Sequence, residues 1–211
     1  MSKRDVRKDV LERLHVSRES GERLETYASL LLQWQARINL IGSSTREDIW
    51  TRHIADALQL LPLLPEGIRK IADLGSGAGI PGLILAIALP LEAHLFESNL
   101  KKAAFLREAA RQTGARAHIH SVRIEQAQTL AETIKVEAVT ARALAPLSRL
   151  LDYAAPFIEN GAIGYFHKGQ GVDAELTDAT ESWKVQFESY PSLTDSRGVI
   201  LVVKEAQRVL S

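Results

Sequence analysis

The chain has two textures. In its first third the apolar positions recur at helical spacing, and from Ile68 onward short apolar runs alternate with helical stretches. Val6, Val10, Leu11 and Leu14 mark one helix. Leu24, Tyr27, Leu30, Leu31 and Trp34 mark a second, which Ser17 or Ser20 would cap with Glu22 or Arg23 in its first turn. Asn39-Leu40-Ile41-Gly42 breaks the pattern. Thr45 then precedes Asp48 as in a capping box with Asp in place of Glu, so a third helix is predicted from Arg46 to Leu61, stopped by Pro62 and Pro65. The remaining pattern predicts strands at 69–75, 92–97, 117–122, 136–141, 161–167, 184–190 and 198–205, and helices at 81–89, 99–113, 123–133, 146–156 and 172–181. The first five strands each lead into a helix, which implies a parallel sheet with right-handed crossovers. Pro191 and Asp195-Ser196-Arg197-Gly198 supply a turn between the last two strands, so these form an antiparallel hairpin. The expected organisation is a helical extension over 1–65 and an α/β domain over 66–211.

One segment carries chemistry. Ile71-Ala72-Asp73-Leu74 runs into Gly75-Ser76-Gly77-Ala78-Gly79-Ile80-Pro81-Gly82, and an apolar helical run follows at once. Strand, glycine turn and helix in that order let the backbone approach a ligand and aim helix N–H groups at it. Glu97 ends the next strand about 20 residues on, where an acid suits the two hydroxyls of a ribose. Read from Gly77, Gly82 would complete the G-x-G-x-x-G of a dinucleotide site. Read from Gly75, with Asp73 two residues before it, the segment resembles the E/D-x-G-x-G-x-G of class I S-adenosylmethionine (SAM) methyltransferases.

Composition narrows the setting. At 211 residues and 45% apolar content the chain supports one sizeable core. It has no cysteine, which excludes disulfides and thiolate zinc sites, and no metal ligand is assigned. The absence of a long apolar run or apolar leader implies no membrane association and a cytoplasmic protein. Net charge is zero, yet Lys101, Lys102, Arg107, Arg111, Arg116 and Arg123 stand against one acid, Glu108. Such a local basic face suits phosphates, or is a solvated helix surface.

Further segments sharpen the resemblance. Asn39-Leu40 and Arg52-His53-Ile54-Ala55-Asp56-Ala57 precede the glycine loop. Glu97-Ser98, then Lys101-Lys102-Ala103-Ala104-Phe105-Leu106, Thr140-Ala141-Arg142-Ala143 and Lys168-Gly169-Gln170 follow it. In this order they resemble the bacterial glucose-inhibited division protein B family, the 16S ribosomal RNA guanine-N7 methyltransferase of the small subunit. The likeness spans Leu24 to Lys204. It implies a class I SAM-methyltransferase, Rossmann-like sheet that acts on 16S rRNA or the 30S particle, at a guanine of the decoding-region hairpin near nucleotide 527; a monomer is expected. It implies SAM contacts from Gly75, Gly77, Gly79 and Ile80, a ribose contact from Glu97, adenine contacts from Ile124 and Glu125, and a pocket arginine in Arg142. Ile124 stands where family members often carry alanine. RNA would be met by Arg52, His53, Lys101, Lys102, Arg123 and Lys168. Guanine N7 has a free lone pair, so no general base is needed and no catalytic residue is assigned beyond Asp56 as an electrostatic contributor.

Several residues have a second reading. His53 and Asp56 are i, i+3 neighbours and would also make a plain surface pair. Arg142 would equally pair with a carboxylate, and Glu125 would sit as a solvated acid at a helix start. Trp34 belongs to a core rather than to a base-stacking platform. A small-molecule methyltransferase, with the first helices as a lid, or a non-catalytic binder of SAM or a dinucleotide would share the same glycine loop.

Overall fold

The computed structural model describes residues 3–209. Two helices open it, α1 (Lys3–Arg13) and α2 (Arg18–Gln35). Ser17 caps α2, its hydroxyl accepting from the Ser20 N–H at 3.1 Å. The third predicted helix is not one regular helix. A 3-10 turn (Ser43–Asp48) leads into a π-wound segment (Trp50–Ala55), then a single α-helical turn, α3 (Asp56–Leu58), and a 3-10 turn (Leu61–Leu63) that contains Pro62. The cause is competition for backbone and side-chain partners. The Arg52 carbonyl accepts from Arg142 Nη2 at 2.9 Å and the Asp56 carbonyl from His167 Nε2 at 2.7 Å. Thr45 does not close a capping box: its hydroxyl donates to the Gly42 carbonyl at 2.8 Å and lies 2.8 Å from His53 Nε2.

From here the chain alternates as predicted. The strands are β1 (Lys70–Leu74), β2 (Glu92–Phe96), β3 (Arg116–His120), β4 (Ala138–Arg142), β5 (Ile163–Lys168), β6 (Trp183–Pro191) and β7 (Val199–Arg208). Between them run α4 (Gly82–Ala88), α5 (Leu100–Thr113), α6 (Ile124–Ala131), α7 (Leu147–Glu159) and α8 (Val172–Thr180). The seven strands form one sheet in the order β3-β2-β1-β4-β5-β7-β6. The first five are parallel, and β7 lies antiparallel between β5 and β6. Reversal of strand order beside β1 puts β1 and β4 at the switch point, where open α/β sheets bind ligands beyond the strand C-termini.

Period-two alternation fills both faces. Ile71, Leu95, Ile200 and Val202 point into a core shared with α2, α4 and α5, while Ala72, Phe96, Leu201 and Val203 point into one shared with α7. The described helical residues before β1 therefore pack into the same core as one face of the sheet. Leu24, Tyr27, Leu31, Ile54 and Leu58 are fully buried within the first core, each worth roughly 2 kcal/mol. Trp34 packs edge-on against Phe105 at 5.7 Å, a core contact. The fully buried Tyr27 donates its hydroxyl to the Ala78 carbonyl at 2.8 Å, so α2 braces the glycine loop directly.

Candidate functional site

The loop after β1 needs its glycines. Gly75, Gly77 and Gly79 have φ of +69°, +56° and +84°, a region costly for residues with a Cβ. Gly82 serves packing instead. A Cβ there would come within 2.5 Å of Asp73 Cβ, so its absence lets α4 close onto β1. Asp73 is fully buried, accepts from Thr140 Oγ1 at 2.7 Å, and is pushed up to about 6 by burial. The expected free N–H groups at the start of α4 are taken: Leu83 and Ile84 donate to the Gly79 carbonyl and Leu85 to that of Pro81. The loop folds back on itself, and its ligand-facing chemistry lies on the Gly75–Gly77 side.

That side opens into a cleft of about 350 Å³ lined by Gly75, Gly77, Phe96, Glu97, Ser98, Lys102, Val122, Arg123, Ile124, Glu125, Ala143 and Leu144. Glu97 is buried, and its two carboxylate oxygens accept from the N–H groups of Gly77 at 2.9 Å and Asn99 at 2.7 Å. Each oxygen keeps a lone pair for a further donor, such as a ribose hydroxyl. Ile124 offers an apolar wall beside it. Glu125 is half-exposed at the start of α6, 4.0 Å from Arg149.

The structure therefore brings Gly75, Gly77, Glu97, Ile124 and Glu125 together, with Lys102 and Arg123 from the basic set at the same cleft. Lys101 is exposed one residue away on α5. Gly79 and Ile80 do not line the cleft: Ile80 is buried in the first core, where the turn toward α4 carries it. Phe96, Ser98, Val122, Ala143 and Leu144 were not foreseen. Leu144 reaches over the loop so closely that a Cβ on Gly75 would come within 2.6 Å of it. Its position just past β4 was the available signal, because ligands collect there.

Arg142 faces an adjoining cleft of about 180 Å³, whose lining includes Arg52, Asp56, Ala143, His167 and Lys168. Ala143 borders both clefts, and its φ of +50° turns the chain from one to the other. Arg142 spends its guanidinium on the helical segment: Nε is 2.8 Å from Asp56 Oδ2, Nη1 3.0 Å from His53 Nδ1, and Nη2 donates to the Arg52 carbonyl. Asp56 Oδ1 accepts from Gln59 Nε2 at 2.8 Å and from the Thr194 hydroxyl at 2.5 Å. His53 and Asp56 are thus buried members of one network and not a surface pair. Burial, reinforced by the Arg142 charge, pushes His53 down to about 4. The neutral ring accepts from Arg142 and donates to Thr45. Burial likewise lowers His167, which donates to the Asp56 carbonyl. Lys168 is buried, donates to the Ala145 carbonyl at 3.0 Å and pairs with Glu175. Arg52 bonds the Thr194 carbonyl at 3.1 Å. His167, Gln59 and Thr194 carry no sequence signal of this role, because only the fold joins their segments.

Relatives match along nearly the whole chain. A ribosomal RNA small subunit methyltransferase G of Rhodospirillum centenum is 52% identical over 190 residues, covering 90% of this chain and 86% of its own. That of Paramagnetospirillum magneticum is 47% identical over 200 residues, covering 95% and 96%. Among solved structures, MtNAS in complex with S-adenosylmethionine superposes with a TM-score of 0.57 at 14% identity, over 94% of this chain and 83% of that one. Cofactor-bound Rv0187 from MTB does so with a TM-score of 0.56 at 12% identity, over 87% and 90%. These two likenesses establish the fold. The family model for GidB, rRNA small subunit methyltransferase G, matches residues 20–201, and the chain belongs to that family.

Proposed function

We propose that this chain transfers a methyl group from SAM to N7 of one guanine in the decoding-region hairpin of 16S rRNA, acting as a monomer in the cytoplasm. Family membership makes it a SAM-dependent methyltransferase of small-subunit rRNA. No helix among the described residues is long and apolar enough to cross a membrane. The observation that supports the finer reading is the meeting of two unlike clefts at Ala143, one edged by the glycine turn and Glu97, the other lined by Arg52, Arg142 and Lys168, each paired with an acid.

The cleft beside the glycine loop fits the donor. Glu97, already oriented by two N–H groups, presents its remaining lone pairs to ribose hydroxyls. Ile124 supplies an apolar wall for adenine, with Glu125 at its edge, and the Cβ-free Gly75 and Gly77 leave room for the chain's close approach. Bound SAM supplies a methyl group on a sulfonium, ready for displacement by a nucleophile.

The protein's task is then placement. Guanine N7 needs no deprotonation, so orienting it toward the methyl supplies most of the acceleration. Asp56 lines the second cleft with both oxygens engaged, Oδ2 by Arg142 and Oδ1 by Gln59 and Thr194, and so fixes Arg142 there. Arg52, Arg142 and Lys168 line the cleft that receives the guanine. In A-form RNA N7 lies in a deep groove that side chains do not reach, so the target base enters from a loop or by flipping. Lys101, Lys102 and Arg123 at the rim then meet phosphates, as does Arg107, whereas Arg111 is held by Glu108 at 2.7 Å. The test is the modified-nucleoside profile of 16S rRNA from a strain lacking this chain. Loss of one N7-methylguanosine, restored by the intact gene, is expected; an unchanged profile would refute the reading.

A further inference from the structure

A cluster at the opposite end of the sheet takes no part in this chemistry. Glu92 and His94 stand two apart on β2, so both point to the face that carries α6 and α7. Across the β2–β3 register His94 faces His118 and Phe96 faces His120. The His94 ring stacks on those of His118 and His120 with centroids 4.9 and 5.3 Å apart. Glu92 Oε1 lies 3.0 Å from His94 Nε2 and 3.6 Å from His118 Nε2, and ligand atoms of all three residues lie within 4.8 Å of one another.

We propose that Glu92, His94 and His118 bind one divalent transition-metal ion of the zinc class. Two imidazole nitrogens and one carboxylate oxygen form a donor set for borderline ions; magnesium and calcium prefer all-oxygen shells. Tetrahedral zinc spaces its ligand atoms about 3.3 Å apart, so the His94 and His118 rings turn out of their stack to aim both Nε2 lone pairs at one ion. The surroundings are already arranged. His94 is buried, and its Nδ1 lies 3.0 Å from His120 Nε2. With Nε2 committed to the metal, Nδ1–H donates to His120, the outer-shell bond that fixes a ligating imidazole. His118 is exposed and offers the entry path, leaving the fourth position to water. Lys70 Nζ sits 3.5 Å from Glu92 Oε1 on a half-exposed side chain that swings to solvent as the ion enters.

The consequence is structural. Among the described residues β3 is an edge strand that pairs only with β2. An ion held by both strands clips that edge to the sheet. Glu92 and His94 lie five and three residues before Glu97, roughly 10–16 Å from the cleft beside the glycine loop at the usual strand rise. Glu97 itself donates its N–H to the His120 carbonyl at 3.0 Å, so the clipped pair of strands also carries the ribose acid.

Calorimetric titration of the untagged protein with zinc chloride tests this, with cobalt(II) absorption reporting coordination geometry. One equivalent of zinc at micromolar affinity and a tetrahedral cobalt spectrum are expected. His118→Ala should lower zinc affinity at least about tenfold without changing the metal-free melting temperature. Glu92→Gln should weaken binding in the same direction, and His15→Ala should not. Absence of micromolar zinc binding by the wild-type protein would overturn the proposal, as would wild-type affinity in both His118→Ala and Glu92→Gln.

Discussion

The two clefts that meet at Ala143 are built on different principles. The cleft beside the glycine loop rests at one end on backbone, with left-handed glycines and Glu97 held by two N–H groups, and at the other on side chains from the turns after β3 and β4. The neighbouring cleft is made of side chains from the π-wound segment, β4, β5 and the turn before β7, held by charge around Asp56. A backbone-built end tolerates surface change but not a Cβ at its turns. A side-chain network tolerates neither removal of its central charge nor a change in its protonation. The contrast predicts separate failure modes, one in SAM affinity and the other in stability and guanine placement.

The largest effect should come from Arg142→Ala. It leaves the buried Asp56 carboxylate without its guanidinium, and breaking a buried pair costs about 3 kcal/mol or more. Urea unfolding should show that loss, and combining the change with Asp56→Asn should cost less than the sum of the two. Methyl transfer should fall as well, with SAM affinity less affected. Wild-type stability in Arg142→Ala would show that the network does not hold the segment.

Protonation should break the same cleft. His53 sits at about 4 when folded, below its ordinary 6.5. Its contribution is therefore complete above pH 6.5 and lost as pH falls toward 4, up to about 3 kcal/mol over the window. Asp73, raised to about 6, works in the opposite sense: its contribution is complete below 3.8 and lost as pH rises through 6. Stability measured between pH 7 and 4.5 should fall less steeply in His53→Asn than in wild type. An identical slope would contradict the neutral, buried His53.

The donor cleft should break at Gly75→Val. A residue with a Cβ at φ of +69° meets Leu144 at the cleft wall. Left-handed strain costs about 1–2 kcal/mol, and SAM affinity by calorimetry should fall at least about tenfold, or about 1.4 kcal/mol. A folded variant with wild-type SAM affinity would remove the loop from the site. The smallest effect should be charge reversal at Lys101 and Lys102. RNA affinity should weaken and its dependence on salt should become shallower, while SAM affinity holds. Equal RNA binding would assign those lysines to a solvated face.

How much was legible in the sequence follows the same division. The alternation of β1–β5 with helices, the β6–β7 hairpin, the glycine turn and Glu97 all depend on local pattern, and the structure has them where the pattern puts them. The regular helix that the pattern predicts from Arg46 to Leu61 is replaced by 3-10 and π-wound turns. Periodicity registers apolar spacing but not the demand of Arg142 and His167 for the Arg52 and Asp56 carbonyls. The family resemblance implies a SAM contact from Ile80, whose side chain the turn buries in the core. Leu144 and Thr194 had no local motif, and the Glu92–His94–His118 cluster exists only once β2 and β3 are in register.

The most direct test supplies tritiated SAM with naked 16S rRNA, 30S particles and a panel of metabolites, then digests the products to nucleosides. The account predicts label as N7-methylguanosine from one site in the decoding-region hairpin, lost in Gly75→Val. Label confined to a metabolite, or to another position of the RNA base, would contradict it.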